Sequence, residues 1–114
     1  GKDLEHRREE LKKLYEQYIG PYELYHNATI DVAMRALASY DEGQRLERME
    51  MLAELYYAEA DTVTGPDRNF LLDKAFNLFA FIERNGKTFS MDRRYKMGLI
   101  EQRLKKCSGK TRCE

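Results

Sequence analysis

The sequence has little that could staple a fold covalently or place it in a membrane. Only two cysteines occur among 114 residues, Cys107 and Cys113, and both lie in the last eight. A disulfide between them would close a short loop at the chain end, so a disulfide scaffold is excluded. No apolar run approaches the ~18 residues of a membrane span, and the start is too charged for a signal peptide's apolar core. We therefore expect a cytoplasmic protein without a membrane partner.

Motifs for catalysis and for cofactors are also lacking. The sequence has no Gly-x-Ser-x-Gly elbow and no paired metal-ligand cysteines. Asp3-x-x-His6 and Glu23-x-x-His26 each place a carboxylate and an imidazole one helical turn apart, as in di-iron helical bundles. Neither pair has an obvious facing carboxylate, so we interpret both histidines as solvated or half-buried. The sequence predicts no catalytic residue, no metal and no cofactor, and hence a non-enzymatic protein.

Glycine and proline are scarce, and the segments between them have the residue periodicity of α-helices. Apolar residues recur at intervals of three and four, while strand-like alternation is absent. Helices are predicted over residues 3–19, 27–40, 41–60, 66–85 and 90–106. Short connections favour antiparallel neighbours, which predicts an all-α, compact antiparallel bundle of four to five helices. Residues 1–106 form one domain in this interpretation, and 107–114 form a flexible basic tail.

The ends of these helices carry local signals. Pro21 disfavours helical geometry at Gly20, so the first helix either kinks or stops there. Pro66 suits the first turn of the fourth helix, and Gly86 is expected to end it in the left-handed conformation. The predicted N-caps are Asn27, Asp41 (with a capping box) and Ser90.

Charge is segregated along a chain whose formal net charge is zero. Between residues 41 and 83, ten acidic residues oppose four basic ones, a local net charge of −6. Between residues 91 and 113, eight basic residues oppose two acidic ones, a local net charge of +6. The basic segment predicts contact with an anionic partner such as nucleic acid. The candidate residues are Arg93, Arg94, Lys96, Arg103, Lys105 and Lys106. The alternative is that the acidic third helix pairs with the basic fifth helix inside the protein.

Tyrosine is abundant, with eight residues, and tryptophan is absent. Tyr15, Tyr18, Tyr22 and Tyr25 are spaced to line one face of the first helix and its continuation. Such a stripe either packs at the rim of the core with its hydroxyls in water, or forms a protein-binding face. In the fifth helix, Met97, Ile100 and Leu104 share one side, and Met91, Tyr95 and Leu99 share another.

These features favour a protein-interaction or regulatory module over an enzyme. The tyrosine stripe, the two-sided fifth helix, or both would bind a protein partner or a second copy of the chain. A nucleic-acid-binding protein that uses the basic segment is the alternative from another functional class.

Overall fold

The computed structural model describes residues 2–108, with side chains described as far as Lys105. It consists of the helices α1 (Lys2–Tyr18), α2 (Tyr22–Asn27), α3 (Ile30–Leu37), α4 (Glu42–Ala60), α5 (Gly65–Asn85) and α6 (Met91–Ser108). The predicted all-α bundle is confirmed. The predicted number of helices was too small, since the described part of the chain contains six.

The additional helix arises from two breaks close together. Gly20 has a φ of 156°, and a Cβ at this position would lie 2.9 Å from the ring of Tyr25. Only glycine tolerates both conditions, so α1 ends completely before Pro21 rather than bending through it. Ala28 and Thr29 are extended and separate the six-residue α2 from α3.

Some helix ends differ from the sequence-based predictions. Asn27 is the last residue of α2, and Thr29 caps α3 instead, accepting a bond from the Val32 amide. Asp41 precedes α4 without a side-chain cap bond. Gly86 ends α5 as predicted, but its φ is −84° and its amide bonds to the carbonyl of Ile82. The capping box and the left-handed terminus were therefore wrong.

The two ends of α6 test two further predictions. The Ser90 hydroxyl accepts a bond from the Arg93 amide, which confirms Ser90 as the cap of this helix. The helix continues to Ser108, two residues beyond its predicted end. Residues 109–114, most of the predicted tail, lie outside the described residues.

The core is centred on the long helices α4 and α5. They form the most extensive helix–helix contact, while α1 packs on α4 and α6 packs on α5. Leu52 and Tyr56 of α4 meet Leu72 and Phe79 of α5, and Ile100 of α6 completes the cluster; all five are fully buried. The central position predicted for the most apolar helix is confirmed, because a helix that is apolar nearly all round needs neighbours on several sides. Among the described helices, none is both long and apolar enough to cross a bilayer.

Candidate functional site

Helix α6 has two apolar faces that meet different surroundings. On the inner face Ile100 is fully buried, and Met97 and Leu104 pack partly buried against the core. On the opposite side Met91 is 76% exposed and Tyr95 is 66% exposed. The division of this helix into two apolar sides is therefore present for Met91 and Tyr95, whereas Leu99, predicted on the same side as these two, is only partly exposed.

The outward side forms a strip along the helix, partly exposed at Gly98 and exposed at its other positions, which we name the α6 outer face. It consists of Met91, Tyr95, Gly98 and Gln102, which are four, three and four residues apart. This spacing keeps side chains in one line along an α-helix. Phe89, just before the helix begins, is also 67% exposed, and the Arg94 guanidinium lies over its ring.

Gly98 is an unusual residue for the middle of this helix. Glycine in a helix interior lowers stability by roughly 0.5–1 kcal/mol relative to alanine, because glycine loses more conformational freedom when the chain folds. A Cβ added at Gly98 would meet nothing within 4 Å. The rest of the described chain therefore gives no steric reason for glycine here. Gly98 is partly exposed and lines a shallow groove with Asp73 and Phe76 of α5.

The predicted nucleic-acid residue Arg93 is an internal structural element. It is only 1% exposed. Its Nε donates to Glu83 at 2.6 Å, and its Nη1 lies 3.2 Å from both carboxylate oxygens of Glu50. Its Nη2 donates to the Thr88 carbonyl at 2.8 Å. One guanidinium thus joins α4, α5, α6 and the connecting loop, and it is not accessible to a phosphate.

Two other cations of the predicted basic site also face acidic residues. Lys96 contacts Glu54 of α4 at 2.5 Å and Asp92 at 2.9 Å. Arg103 lies 3.5 Å from Asp61. This arrangement is the internal pairing considered from the sequence.

The two remaining described cations of that set are exposed. Arg94 bonds to Glu83 at 2.8 Å, yet its side chain is 61% exposed. Lys105 is exposed as well, whereas the side chain of Lys106 lies outside the described part. The five described candidates are therefore not gathered into one accessible patch.

The tyrosine stripe is divided between the core and the surface. Tyr15 and Tyr25 are buried, at 0% and 4% exposure, so they offer no surface to a partner and belong to the core. Tyr22 is half-buried. Tyr18 is 39% exposed and, with Leu14 of α1 and Met51 of α4, lines an apolar groove of ≈300 Å³.

The tyrosines converge on one buried carboxylate, a relationship that the sequence did not reveal. Glu59 of α4 is 2% exposed. It accepts hydrogen bonds from the hydroxyls of Tyr15, at 2.6 Å, and Tyr22, at 2.5 Å. The Nδ1 of His26 lies 2.8 Å from it, which agrees with the half-buried interpretation of this histidine. We name these four residues the Glu59 cluster.

Burial and the carboxylate together hold the phenols neutral. Burial raises the pKa of Tyr15, and the negative charge of Glu59 raises it further. The pKa of Tyr22 is raised by burial and by its hydrogen bond to Glu59. A neutral hydroxyl can donate to the carboxylate, so the raised pKa values and the hydrogen bonds stabilise each other.

Lys74 of α5 binds the C-terminal end of the short helix α2. Its Nζ donates to the carbonyls of Tyr25, His26 and Ala28 at 3.2, 2.9 and 2.8 Å. These carbonyls are at the C-terminal end of α2, where a helix lacks its own donors. Burial lowers the pKa of Lys74 to about 8, against the opposing effect of Glu59.

Sequence analysis missed the roles of Glu59 and Lys74 because it counted these residues only toward the net charge of residues 41–83. A positional signal was present, however. Glu59 lies three residues after the buried Tyr56, and Lys74 lies between the buried Leu72 and Ala75. Each charge therefore lies within an apolar stripe, where a charged group requires partners. Gly98 had a comparable signal, its spacing from Met91 and Tyr95.

Comparisons with known proteins add no family to this description. No protein-family model matches the chain, and neither a curated protein nor a solved structure matches it. Within residues 2–105, where side chains are described, no three His, Cys, Asp or Glu side chains are grouped so as to hold a metal ion. The function therefore has to be argued from the surfaces and contacts described above.

Proposed function

We propose that this chain is a non-enzymatic protein-interaction module that docks through the α6 outer face. The observation that carries the proposal is the exposure of Met91 and Tyr95 on a helix whose other side is already packed. Tyrosine, methionine and arginine are enriched at the centres of protein interfaces. Arg94 beside this strip completes that composition.

The buried polar groups are used for structure in this proposal. Glu59 accepts from two tyrosines, and Lys74 donates to three carbonyls. Groups engaged in this way join α1, α2, α4 and α5 and are poorly placed to exchange protons with a substrate. We accordingly propose no catalytic role for them, and we propose a cytoplasmic location on account of the few cysteines.

Nucleic-acid binding is the weaker alternative. Phosphate binding depends on cations that release counterions when they meet the backbone. Arg93 is buried, and Lys96 and Arg103 face acidic partners. Among residues 91–105, the charges of these three cations are thus offset in space by Glu50, Glu54, Asp61 and Glu83. Titration with duplex and single-stranded DNA across a salt series should show no steep salt-dependent binding.

The proposal is tested by photo-crosslinking in the native cell. A photoreactive phenylalanine analogue replaces Tyr95 in one variant and Leu24 of α2 in the control variant. Leu24 is also an exposed apolar residue, at 45% exposure, but lies on a different helix. We expect a discrete adduct from position 95 whose yield falls when Met91→Asp is added.

Two results would overturn the proposal. One is an adduct pattern from position 95 that is no different from that of position 24. The other is an adduct that persists at full yield with Met91→Asp, since a partner seated on the strip must contact both residues. Far-ultraviolet circular dichroism of each variant confirms that the helices remain folded.

A further inference from the structure

We propose that the partner of the α6 outer face is a second copy of this chain, docked antiparallel across a two-fold axis. Tyr95 of each copy packs against the partner's Gly98. This inference rests on the proposed function, because it names the occupant of the same face. It is carried by the position of Gly98 and by the distribution of charge beside the strip.

The spacing of the strip suits helix-to-helix packing. Met91, Tyr95, Gly98 and Gln102 alternate intervals of four and three, the repeat with which two helices keep one seam in contact. In an isologous dimer the same patch serves both copies. A two-fold axis between Tyr95 and Gly98 therefore creates the same contact twice, with Met91 opposite the partner's Gln102.

Gly98 supplies the space that this contact requires. Tyrosine is a large side chain, and two helices can approach closely over it only where the facing position is small. A Cβ at Gly98 meets nothing inside the described chain, so the space beside it is open to a side chain from a second copy. The proposed contact puts the bulkiest residue of the strip against the smallest.

The charges beside the strip are complementary under this symmetry. Arg94 and Glu101 are seven residues apart and lie on the same flank of α6. In an antiparallel two-fold pair, the same flank of each helix meets its counterpart. Position 94 then lies level with the partner's position 99, and Glu101 lies about 3 Å further along. Both side chains reach that far, so two Arg94–Glu101 pairs form per dimer.

A nucleic acid would bind poorly to this face, because Glu101 would repel its phosphates. A partner of single charge sign would likewise leave either Arg94 or Glu101 opposite a like charge. A second copy of the chain places an opposite charge next to both Arg94 and Glu101. A seam of one helix per copy is at the small end of specific interfaces, so we expect a dissociation constant in the micromolar range.

Sedimentation equilibrium over a concentration series tests the proposal through a charge reversal. Arg94→Glu and Glu101→Arg should each weaken dimerisation about tenfold, because each places two like-charged pairs across the interface. The double variant should recover wild-type affinity. It keeps the new glutamate beside Glu83, so its recovery reports the contact between copies and not a change inside one copy.

A second variant separates the dimer contact from the stability of the helix. Gly98→Leu should raise the urea midpoint of the monomer, since leucine is a better helix former and space is open. The same change should abolish association, because the leucine side chain would fill the space that the partner's Tyr95 occupies in the proposed dimer. A uniform loss of both stability and association would contradict this.

The two proposals fail in different ways. A wild-type chain that remains monomeric throughout the series, or a double variant without recovery, overturns the second-copy inference. If position 95 still gives a crosslinked adduct with a different protein, docking through the α6 outer face stands. An adduct of twice the chain mass, together with charge-reversal rescue, supports both.

Discussion

The hydroxyl of Tyr15 donates to Glu59 Oε1 over 2.6 Å, and it joins residues 44 positions apart in the chain. Both groups are buried, at 0% and 2% exposure. A carboxylate in such a place is stable only when donors surround it. The bond therefore helps to fix how α1 lies on α4, alongside the apolar core.

Replacing the carboxylate tests this role. Glu59→Gln should lower the free energy of unfolding by about 2 kcal/mol, because an amide turns one acceptor into a donor that faces a tyrosine hydroxyl. Urea denaturation measures the change, and Glu47→Gln on the exposed side of α4 is the matched control. An equal effect of the two substitutions would contradict a structural role for the Glu59 cluster.

The stability of helix α2 should depend on its hydrogen bonds to Lys74. Lys74→Met keeps the length and apolar stem of the side chain but leaves three buried carbonyls without their donor. We expect a loss of roughly 3 kcal/mol in unfolding free energy and faster amide hydrogen exchange in residues 22–28. Lys13→Met is the control, since the Lys13 side chain is 77% exposed. Unchanged exchange in α2 would contradict the anchoring role.

The pH dependence of stability should show a maximum in the alkaline range. The pKa of Lys74 is about 8 in the folded chain, below its ordinary 10.5, so the unfolded chain binds more protons between these values. Stability therefore rises with pH across that window.

The tyrosines act in the opposite direction. The pKa values of Tyr15, Tyr22 and Tyr56 are raised from 10.0, chiefly by burial, so above pH 10 the folded chain binds more protons and stability falls. Urea midpoints measured from pH 7 to 11 test both directions. In Lys74→Met the rise should vanish while the alkaline fall remains. A fall that began below pH 9 would contradict the assignment.

Two adjacent arginines should differ sharply in their contribution. Arg93→Met removes a buried guanidinium from Glu50 and Glu83, and we expect a cost of about 3 kcal/mol because a carboxylate is left without its partner. Arg94→Met affects an exposed pair and should cost less than ~1 kcal/mol. Urea denaturation of both variants gives the comparison. Equal losses of unfolding free energy would contradict the interpretation of Arg93 as a buried link between α4, α5 and α6.

The periodicity of apolar residues was sufficient to predict the long helices, because helix formation follows local spacing. It also predicted the two sides of α6, since Met97 and Ile100 fall in one phase and Met91 and Tyr95 in another. The break at Gly20 was identified, but not its extent. That extent depends on the distance from Gly20 to the ring of Tyr25, which is a tertiary contact.

The fates of individual charges were not predictable from composition. Arg93 and Arg94 are neighbours of the same type, yet one is buried and one is exposed. Arg93 lies four and seven residues before Met97 and Ile100, on the side of α6 that packs on the core, whereas Arg94 lies about 100° further round the helix. A linear charge count does not contain this helical phase. In the same way, Glu59 acquires its role from Tyr15 and Tyr22, which reach it from different helices.

The measurement that tests the central claim most directly is methionine oxidation at the α6 outer face. Met91 is 76% exposed and Met49 is 2% exposed, so one chain carries both the probe and its internal reference. In dilute purified protein, peroxide should oxidise Met91 rapidly and Met49 slowly, as peptide mass spectrometry reports. In the native cell, or in concentrated protein if the partner is a second copy, Met91 should become protected while Met49 stays unchanged. Met91 oxidised as fast in the cell as in dilute solution would contradict docking through α6.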